Sequence, residues 1–356
     1  MECLCGCGTT VGGTFAPGHA LRYVTQLRRR ALDGDVAARA EMYERGWTMT
    51  PKQRLSTRAF GFEAEFFGIE QYDAVDALEG AGFDVKDDGY HHHTRPFWRI
   101  TEDGSVSGSG CELVSPILRS NLKPDIDASR LAVTVLSQAG GQVNRTCGLH
   151  IHHNLTGKTV NDVAETVGHW ALFQPIINRI LPQSRWDGEY CAGMDNPRTW
   201  ALDVVCYGGD PGGRATNIDG RRFGRYHAIN LNAIQDHGTL EYRQHGGTLN
   251  PSKVEHWVKF TRAMHDVSRI GRWTMLIDIF GTQFAVVDGL GVRGMMDYLN
   301  VGKATTDFYV AREAQLADFG LDDEGADDDV NDSEPDYEDE FGEGEWCSEC
   351  REYHYE

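Results

Sequence analysis

Four short segments of the sequence place ionisable side chains between apolar neighbours, at the spacing of a strand. Their ionisable residues are Glu63 and Glu65 in GFEAEFFG, Glu112 in SGSGCELVSPIL, His150 and His152 in CGLHIHHNL, and Glu241 and Arg243 in GTLEYRQHGG. Side chains alternate between the two faces of a strand, so each pair projects away from the apolar residues, with about 6 to 7 Å between paired positions. Clustered carboxylates repel one another, and a divalent cation offsets that repulsion. Such an oxygen-rich site suits Mg²⁺ or Mn²⁺, which can bridge phosphate oxygens.

An ordinary antiparallel sheet with one face in water is the alternative interpretation, because it also alternates apolar and polar residues. A generic wet face carries Thr, Lys and Ser with mixed charges. These segments instead supply four Glu, two His and one Arg, flanked by Gly. The composition favours a chemical site over a solvated face.

Helices are predicted between the strands, and together they indicate the fold class. The pattern predicts four helices, at residues 72–80, 126–139, 160–181 and 251–280. Asn250 followed by Pro251 is a helix-start signal, because Pro at the first helical position loses no intrahelical hydrogen bond. Gly140 and Gly141 stop the helix before them, and the Gly-rich residues 183–224 are expected to form a long loop. The predicted fold class is α+β, an antiparallel sheet packed by helices.

The charge of the chain is concentrated at one end. The net charge is −20 over 356 residues, but residues 318–356 contain 18 acidic residues and one basic residue, which leaves 36 and 33 elsewhere. Such a block predicts a disordered, self-repelling tail and argues against nucleic-acid binding through it. No apolar run approaches the roughly 18 residues of a membrane span. The start, MECLCGCG, lacks the features of a secretory signal, so a cytoplasmic protein is expected.

Cysteines near both ends are spaced for metal rather than for disulfides. The candidate zinc ligands are Cys3, Cys5, Cys7 and His19 at the start, and Cys347 and Cys350 at the end, which His354 or another chain could complete. The CxCxC spacing is tight for a tetrahedral site. The other four cysteines are isolated and are expected to act as small apolar side chains.

These features predict five regions along the chain. They are a Cys/His zinc-type module at 1–25, a helical connector at 26–57, a catalytic domain at 58–310, an acidic disordered tail at 311–346, and a terminal CxxC/His motif at 347–356.

Several further polar residues have open roles. The tract His91, His92 and His93 is expected to be incidental, and His153 points away from His152 and is expected to be structural. Asp103 is either a turn residue or a site residue. Asn144 and Asn230 could each orient neighbours through hydrogen bonds.

The order of the segments resembles a known family. GFEAEF, ITEDGSVSGSGCELVSP, CGLHIHHNL and RYHAINLNAIQDHGTLEYRQHGGTLNPSKVEHW follow one another as in the amidoligase family, which is related to glutamine synthetase within the carboxylate-amine ligase superfamily. The resemblance covers residues 61–265 and implies a glutamine synthetase-like sheet. The start, CLCGCG through FAPGHA, is similar to a short zinc module of actinobacterial and phage proteins.

The family resemblance implies roles for individual residues. It implies four metal-binding carboxylates, namely Glu63, Glu65, Glu112 and Glu241. It implies contacts to phosphate, to the bound carboxylate or to an acyl phosphate from His150, His152, Arg243, Arg225 and Arg185. The first step of such a ligase gathers negative charge around the transferred phosphoryl group, which metal ions and guanidinium groups stabilise.

The function implied is ATP-dependent joining of a carboxylate donor to an amine acceptor, which could be an amino acid, a peptide or a protein. ATP and Mg²⁺ or Mn²⁺ are the implied cofactors, with structural Zn²⁺ at the ends. Two other functions stay open: a metal-dependent amide hydrolase that needs no nucleotide, and a non-enzymatic zinc adaptor whose acidic tail engages a basic partner. The oligomeric state is open, and the location is the host cytoplasm if the protein is phage-encoded.

Overall fold

The computed structural model describes residues 58–89, 94–107, 110–186, 188–270, 290–319, 345–347 and 352–354, and five helical positions nearer the start: Tyr23, Leu27, Arg30, Ala38 and Glu41. The chain divides into two compact units, Met1–Arg54 and Leu55–Glu356. In the first unit, the Tyr23 hydroxyl donates to the Glu41 carboxylate at 2.8 Å. The strands and helices described below belong to the second unit.

An eight-stranded sheet is the centre of the second unit. Its strands are β1 Ala59–Phe66, β2 Val85–Asp87, β3 Trp98–Asp103, β4 Gly110–Val114, β5 Leu118–Arg119, β6 Gly148–Asn154, β7 Ile229–Asn230 and β8 Thr239–Gly246. The strand order is β2-β3-β4-β1-β6-β8-β7, with β5 also paired to β1. Only the β2–β3 pairing is parallel among these strands. The predicted α+β class with a mostly antiparallel sheet is therefore confirmed.

The helices of the second unit pack on this sheet or on one another. They are α1 Gln71–Gly80, α2 Lys123–Gln138, α3 Val160–Asn178, α4 Pro197–Gly208, α5 Ala233–His237, α6 Pro251–His265, α7 Gly291–Tyr298 and α8 Lys303–Phe319. Trp170 of α3 packs against Tyr242 of β8, with ring centroids 5.3 Å apart, and against Trp257 of α6 at 6.1 Å. All three rings are fully buried. The strand residues that alternate with these buried apolar residues point to the opposite face of the sheet.

The predicted helix ends are partly confirmed. The side chain of Asn250 accepts hydrogen bonds from the backbone of Ser252 and Lys253, and Pro251 begins α6. Gly140 has φ of 103°, as the end of α2 requires. The predictions of helix to residues 181 and 280 were too long, because α3 ends at Asn178 and α6 at His265. Residues 271–289 lie outside the described residues.

The prediction of a long loop over residues 183–224 was wrong. This segment contains α4 and three short 3-10 turns, Gln183–Arg185, Ala215–Asn217 and Gly220–Phe223. Asn196 accepts a hydrogen bond from the backbone of Thr199, and Pro197 is the first helical residue. This is the same Asn–Pro start signal that predicts α6. Glycine and charge on both sides of α4 obscured the signal.

The ends of the chain are described only in part. Helix α8 runs to Phe319, so residues 311–319 are helical rather than part of a disordered tail. Strand β9, Glu345–Cys347, pairs antiparallel with β10, Glu352–His354. Several predicted features lie outside the described residues: 320–344, His91 to His93, Cys350, and the set Cys3, Cys5, Cys7 and His19. Zinc at either end stays a prediction.

Two further predictions concern cysteines and membranes. Cys111, Cys147 and Cys191 are free and buried, as expected of small apolar side chains, whereas Cys206 is free but exposed. Among the described helices, none combines the length and the apolar character needed to cross a membrane.

Candidate functional site

The register of the sheet brings the four predicted segments together. Glu63 of β1 lies opposite His150 of β6, Glu65 of β1 lies opposite Glu112 of β4, and His152 of β6 lies opposite Glu241 of β8. A β-bulge in the β6–β8 pairing falls between Leu149 and Ile151. All seven predicted ionisable residues line one cleft of about 380 Å³ on the face away from the apolar core.

Two imidazole rings lie among the carboxylates of this cleft. His150 Nδ1 is 3.6 Å from Glu63 Oε2 and 3.6 Å from Glu241 Oε1, and His150 Nε2 is 3.7 Å from Glu65 Oε1. His152 Nε2 is 3.5 Å from Glu63 Oε1. The rings therefore join carboxylates from β1 and β8 into a single cluster.

The surroundings of each carboxylate shift its pKa in one of two directions. Burial raises the pKa of Glu63, but His152 and His150 outweigh burial and hold it well below its usual value. Burial likewise raises the pKa of Glu241, and Arg243, His152 and His150 together outweigh it and lower the pKa. At these two carboxylates the imidazole and guanidinium neighbours outweigh burial, so the charged form is favoured.

The other two carboxylates have the opposite shift. Burial raises the pKa of Glu112 well above its usual value, and the nearby Glu63 and Glu65 raise it further. Burial also raises the pKa of Glu65, with His150 opposing it. At these two carboxylates burial dominates, so the neutral form is favoured.

Hydrogen bonds fix the orientation of several site groups. The Gly148 amide donates to Glu65 Oε2 at 2.6 Å, and the Asn230 amide group donates to Glu241 Oε2 at 2.5 Å. Asn230 thus has the orienting role that the sequence left open. His152 Nδ1 is 3.0 Å from the Thr239 hydroxyl.

The three predicted arginines occupy different positions in the cleft. Arg243 is buried, pairs with Glu241, and donates from Nε to the Tyr190 carbonyl at 3.3 Å. Burial lowers the pKa of Arg243, and the carboxylates of Glu241, Glu63 and Glu65 together raise it by more. Arg185 donates to the Arg243 carbonyl at 2.8 Å and so supports strand β8. Arg225 is exposed, with its guanidinium 5.4 Å from the centre of the Tyr226 ring.

Sequence comparison assigns the chain that forms this cleft to a family. The family described as a putative amidoligase enzyme matches residues 56–199 and 213–265, which is more than half of the chain. The chain belongs to this family. The matched residues include all four strands that carry the cluster, so the resemblance inferred from the motifs is confirmed. No curated protein matches the chain.

The amidoligase cleft also contains three residues of β3, of which the sequence analysis named only Asp103, as either a turn residue or a site residue. Arg99, Thr101 and Asp103 of β3 line it beside Glu112. Arg99 is buried, and Asp103 forms a close group of carboxylates with Glu65 and Glu112. In WRITED these three residues alternate with Trp98 and Ile100, so the period-two rule applied to the other strands could have found them.

Other lining residues of the amidoligase cleft come from turns and from α5. Tyr190, Tyr226 and His237 reach the cleft from segments that carry no strand pattern. The His237 ring lies 5.4 Å from the His152 ring, at an angle of 86°. Only the folded chain brings these residues to the site.

His153 confirms the predicted facing of β6. It is fully buried on the core side, its Nε2 is 2.9 Å from the Thr261 hydroxyl, and its ring lies 5.3 Å from the His265 ring. It therefore takes no part in the amidoligase cleft.

The amidoligase donor set fits a divalent cation. Three overlapping groups each place their ligand atoms within 4.8 Å of one another: Glu63, His152 and Glu241; Glu63, Glu112 and His150; and Glu65, Asp103 and Glu112. Arg99 is a cation that interacts electrostatically with Glu112, yet burial with neighbouring negative charge still raises the pKa of Glu112. A cation among these oxygens would offset that repulsion, and oxygen-rich sets suit Mg²⁺ or Mn²⁺.

Proposed function

We propose that this amidoligase is an ATP-dependent carboxylate-amine ligase, with a glutamine synthetase-like sheet, acting in the cytoplasm. It would form an amide or isopeptide bond through an acyl phosphate. The observation that carries the proposal is the convergence of Glu63, Glu65, Glu112, His150 and Arg243 on one cleft, although they come from four strands distant in sequence. Family membership independently supports a ligase.

The carboxylates Glu63, Glu65, Glu112 and Glu241 would hold the divalent metal. When bound, Mg²⁺ neutralises charge on the phosphates and polarises the oxygen atoms of the transferred group. The two histidines would hold the phosphates or the substrate carboxylate against the same cluster. The cleft supplies these groups already oriented, which is the main protein contribution to phosphoryl transfer.

Arg243 would stabilise the charge that develops in the reaction. In the first step, an oxygen of the donor carboxylate bonds to the γ-phosphorus of ATP and ADP leaves. In the second, the amine nitrogen bonds to the acyl carbon, inorganic phosphate leaves, and the amine gives up its proton to a base of the cleft. A planar guanidinium suits the anionic oxygens of both steps. Glu241 and the Tyr190 carbonyl hold Arg243 in place for this role.

A metal-dependent amide hydrolase is the second candidate. The group Glu63, His152 and Glu241 combines imidazole and carboxylate donors, which zinc also accepts. Such an enzyme would activate water and would need no nucleotide. The two candidates therefore differ in their response to ATP.

Thermal melting of the full chain distinguishes them. A nonhydrolysable ATP analogue should raise the melting temperature only when Mg²⁺ is present, because a ligand that binds the folded state stabilises it. The double variant Glu63→Gln, Glu65→Gln should lose this shift, whereas Glu79→Gln, at an exposed position of α1, should keep it. Stabilisation by Zn²⁺ with no response to the nucleotide would favour the hydrolase and refute the ligase.

Turnover then tests the reaction class. Pools of amino acids and peptides incubated with Mg²⁺ and ATP should yield ADP, phosphate and a product lighter than its two substrates by one water. ADP release that needs both a carboxylate and an amine supports ligation. Amide cleavage without ATP would contradict it.

A further inference from the structure

Two tyrosines form an aromatic surface beside the arginines of the cleft. Tyr190 and Tyr226 both line the cleft, with 48% and 45% of their surfaces exposed. Their rings pack edge to face, with centroids 5.4 Å apart and planes at 82°. We call these two residues the tyrosine platform. Exposed rings beside the charged groups of a cleft are suited to a ligand with a flat apolar part.

Backbone hydrogen bonds fix the tyrosine platform relative to Arg243. The Arg243 Nε donates to the Tyr190 carbonyl at 3.3 Å, and the Arg243 amide donates to the Ala228 carbonyl at 2.8 Å. The Ala192 amide donates to the Tyr226 carbonyl at 2.8 Å, which joins the two tyrosine segments to each other. Because one arginine bonds to both segments, the backbone that carries the two rings is held at a set position relative to Arg243.

Contacts link the groups of the cleft one after another. The carboxylates and histidines form one cluster, and Arg243 pairs with Glu241 of that cluster. Arg243 in turn bonds to the Tyr190 carbonyl of the tyrosine platform, and the exposed Arg225 guanidinium lies over the Tyr226 ring. A nucleoside triphosphate has a matching order, with a charged polyphosphate at one end and a flat base at the other.

We propose that the tyrosine platform is the subsite for the nucleobase, an inference that rests on the proposed function. With the γ-phosphate near Arg243, the base lies on the tyrosine rings and Arg225 lies beside the base or the α-phosphate. Stacking of a base on an aromatic ring and contact with a guanidinium both favour this arrangement. The subsite takes a planar heteroaromatic ring and does not require a charge on it.

Two magnesium-bound probes separate base recognition from phosphate recognition. One is a nonhydrolysable ATP analogue, and the other is inorganic tripolyphosphate, which has the phosphates but no base. Titration calorimetry on the full chain measures both affinities. The variant Tyr226→Ala should bind the analogue about tenfold or more weakly, from loss of stacking, with little change for tripolyphosphate. Tyr226→Phe should bind the analogue as well as the unchanged protein does.

Tyr207→Ala is the matched control. Tyr207 is 44% exposed and packs on Phe223, at 5.4 Å between ring centroids, but it does not line the cleft. Its truncation should leave both affinities unchanged. If Tyr226→Ala melts well below the unchanged protein, Tyr190→Ala serves as the second variant, because its backbone carbonyl still accepts from Arg243.

The outcomes distinguish this inference from the proposed function. Binding of both probes, with selective loss of the analogue in the platform variants, supports the subsite. Equal affinity of the unchanged protein for the two probes, or equal losses of both probes in the variants, overturns the subsite but leaves the ligase proposal standing. Failure of the unchanged protein to bind either probe overturns both.

Discussion

Glu65 of β1 and Glu112 of β4 lie directly opposite each other across two central antiparallel strands. Like charges at such positions destabilise a sheet. Burial and the neighbouring carboxylates raise the pKa of Glu112 well above its usual value, so the folded protein resists its ionisation. A divalent cation at this pair would remove that cost, and the pair is therefore where metal binding and stability should be most tightly linked.

Replacing Glu112 by Gln should stabilise the metal-free protein and weaken its response to metal. We expect the free energy of unfolding in EDTA to rise by about 1 kcal/mol, because one of two opposed carboxylates is lost. The gain on adding Mg²⁺ should shrink. Urea unfolding with EDTA and with Mg²⁺ measures both quantities. Glu102→Gln, at an exposed position of β3, is the control and should respond to Mg²⁺ like the unchanged protein.

Replacing Arg243 by Gln should destabilise the protein strongly, because the buried Glu241 would lose its cation. The expected loss is about 3 to 5 kcal/mol, typical of breaking a buried pair from one side. The double variant Arg243→Gln, Glu241→Gln should lose less than the sum of the single variants. A double-mutant cycle by urea unfolding measures this coupling, and strictly additive losses would show that the two side chains do not interact.

Arg243→Lys tests geometry rather than charge. Lysine keeps the positive charge but lacks the planar fork. We expect ATP turnover to fall by about a hundredfold or more, by analogy with the loss of one oriented donor at a reaction centre. Arg222→Gln, at an exposed position outside the cleft, should leave turnover unchanged. Turnover of the lysine variant at the unchanged rate would rule out a role for the guanidinium shape.

Gly148→Ala should disturb His150 and weaken metal binding. A Cβ at Gly148 would lie 2.6 Å from His150 Nε2, so the imidazole must move away from Glu65. Gly61 is the matched control on the same face, because its added Cβ would meet only the Ser115 hydroxyl, at 3.6 Å. Manganese affinity by calorimetry should fall for Gly148→Ala and hold for Gly61→Ala. The opposite ranking would contradict the placement of His150.

His256 should make stability fall as the pH drops below neutral. The His256 ring contacts the Thr305 hydroxyl and stacks on the Phe308 ring, with 4.2 Å between the ring centroids. Burial there lowers the pKa of His256 from 6.5 to about 4. Between these values the unfolded chain gains a proton that the folded chain does not, so up to about 3 kcal/mol is lost as the pH falls from 6.5 to 4. Urea unfolding of His256→Gln should show a shallower pH dependence than the unchanged protein; identical slopes would exclude this contribution.

The strand pattern predicted the cluster because it depends on local alternation alone. Glu63, His150 and Glu241 each follow the period-two rule, and the rule states which face they share. The order of strands and the register that opposes Glu65 to Glu112 depend on long-range pairing, which alternation does not contain. The order of the segments along the chain indicated the family, and the family predicted that the segments form a single site.

The missed residues have two different explanations. Arg99 and Thr101 follow the same alternation as the predicted residues, so the period-two rule could have found them. The period-two rule could not find Tyr190 and Tyr226, because they lie in turns whose path is set by hydrogen bonds to β8. Helix α4 was missed although Asn196 and Pro197 mark its start, because the segment around it is rich in glycine and charge.

The most direct test of the account is a crystal structure of the protein with Mn²⁺ and a nonhydrolysable ATP analogue. Anomalous scattering would locate the manganese. The account predicts manganese bound by oxygens of Glu63, Glu65 or Glu112, with the γ-phosphate in contact with Arg243. Manganese or nucleotide bound away from the cleft, with Glu63, Glu65 and Glu112 contacting neither, would contradict the proposed function.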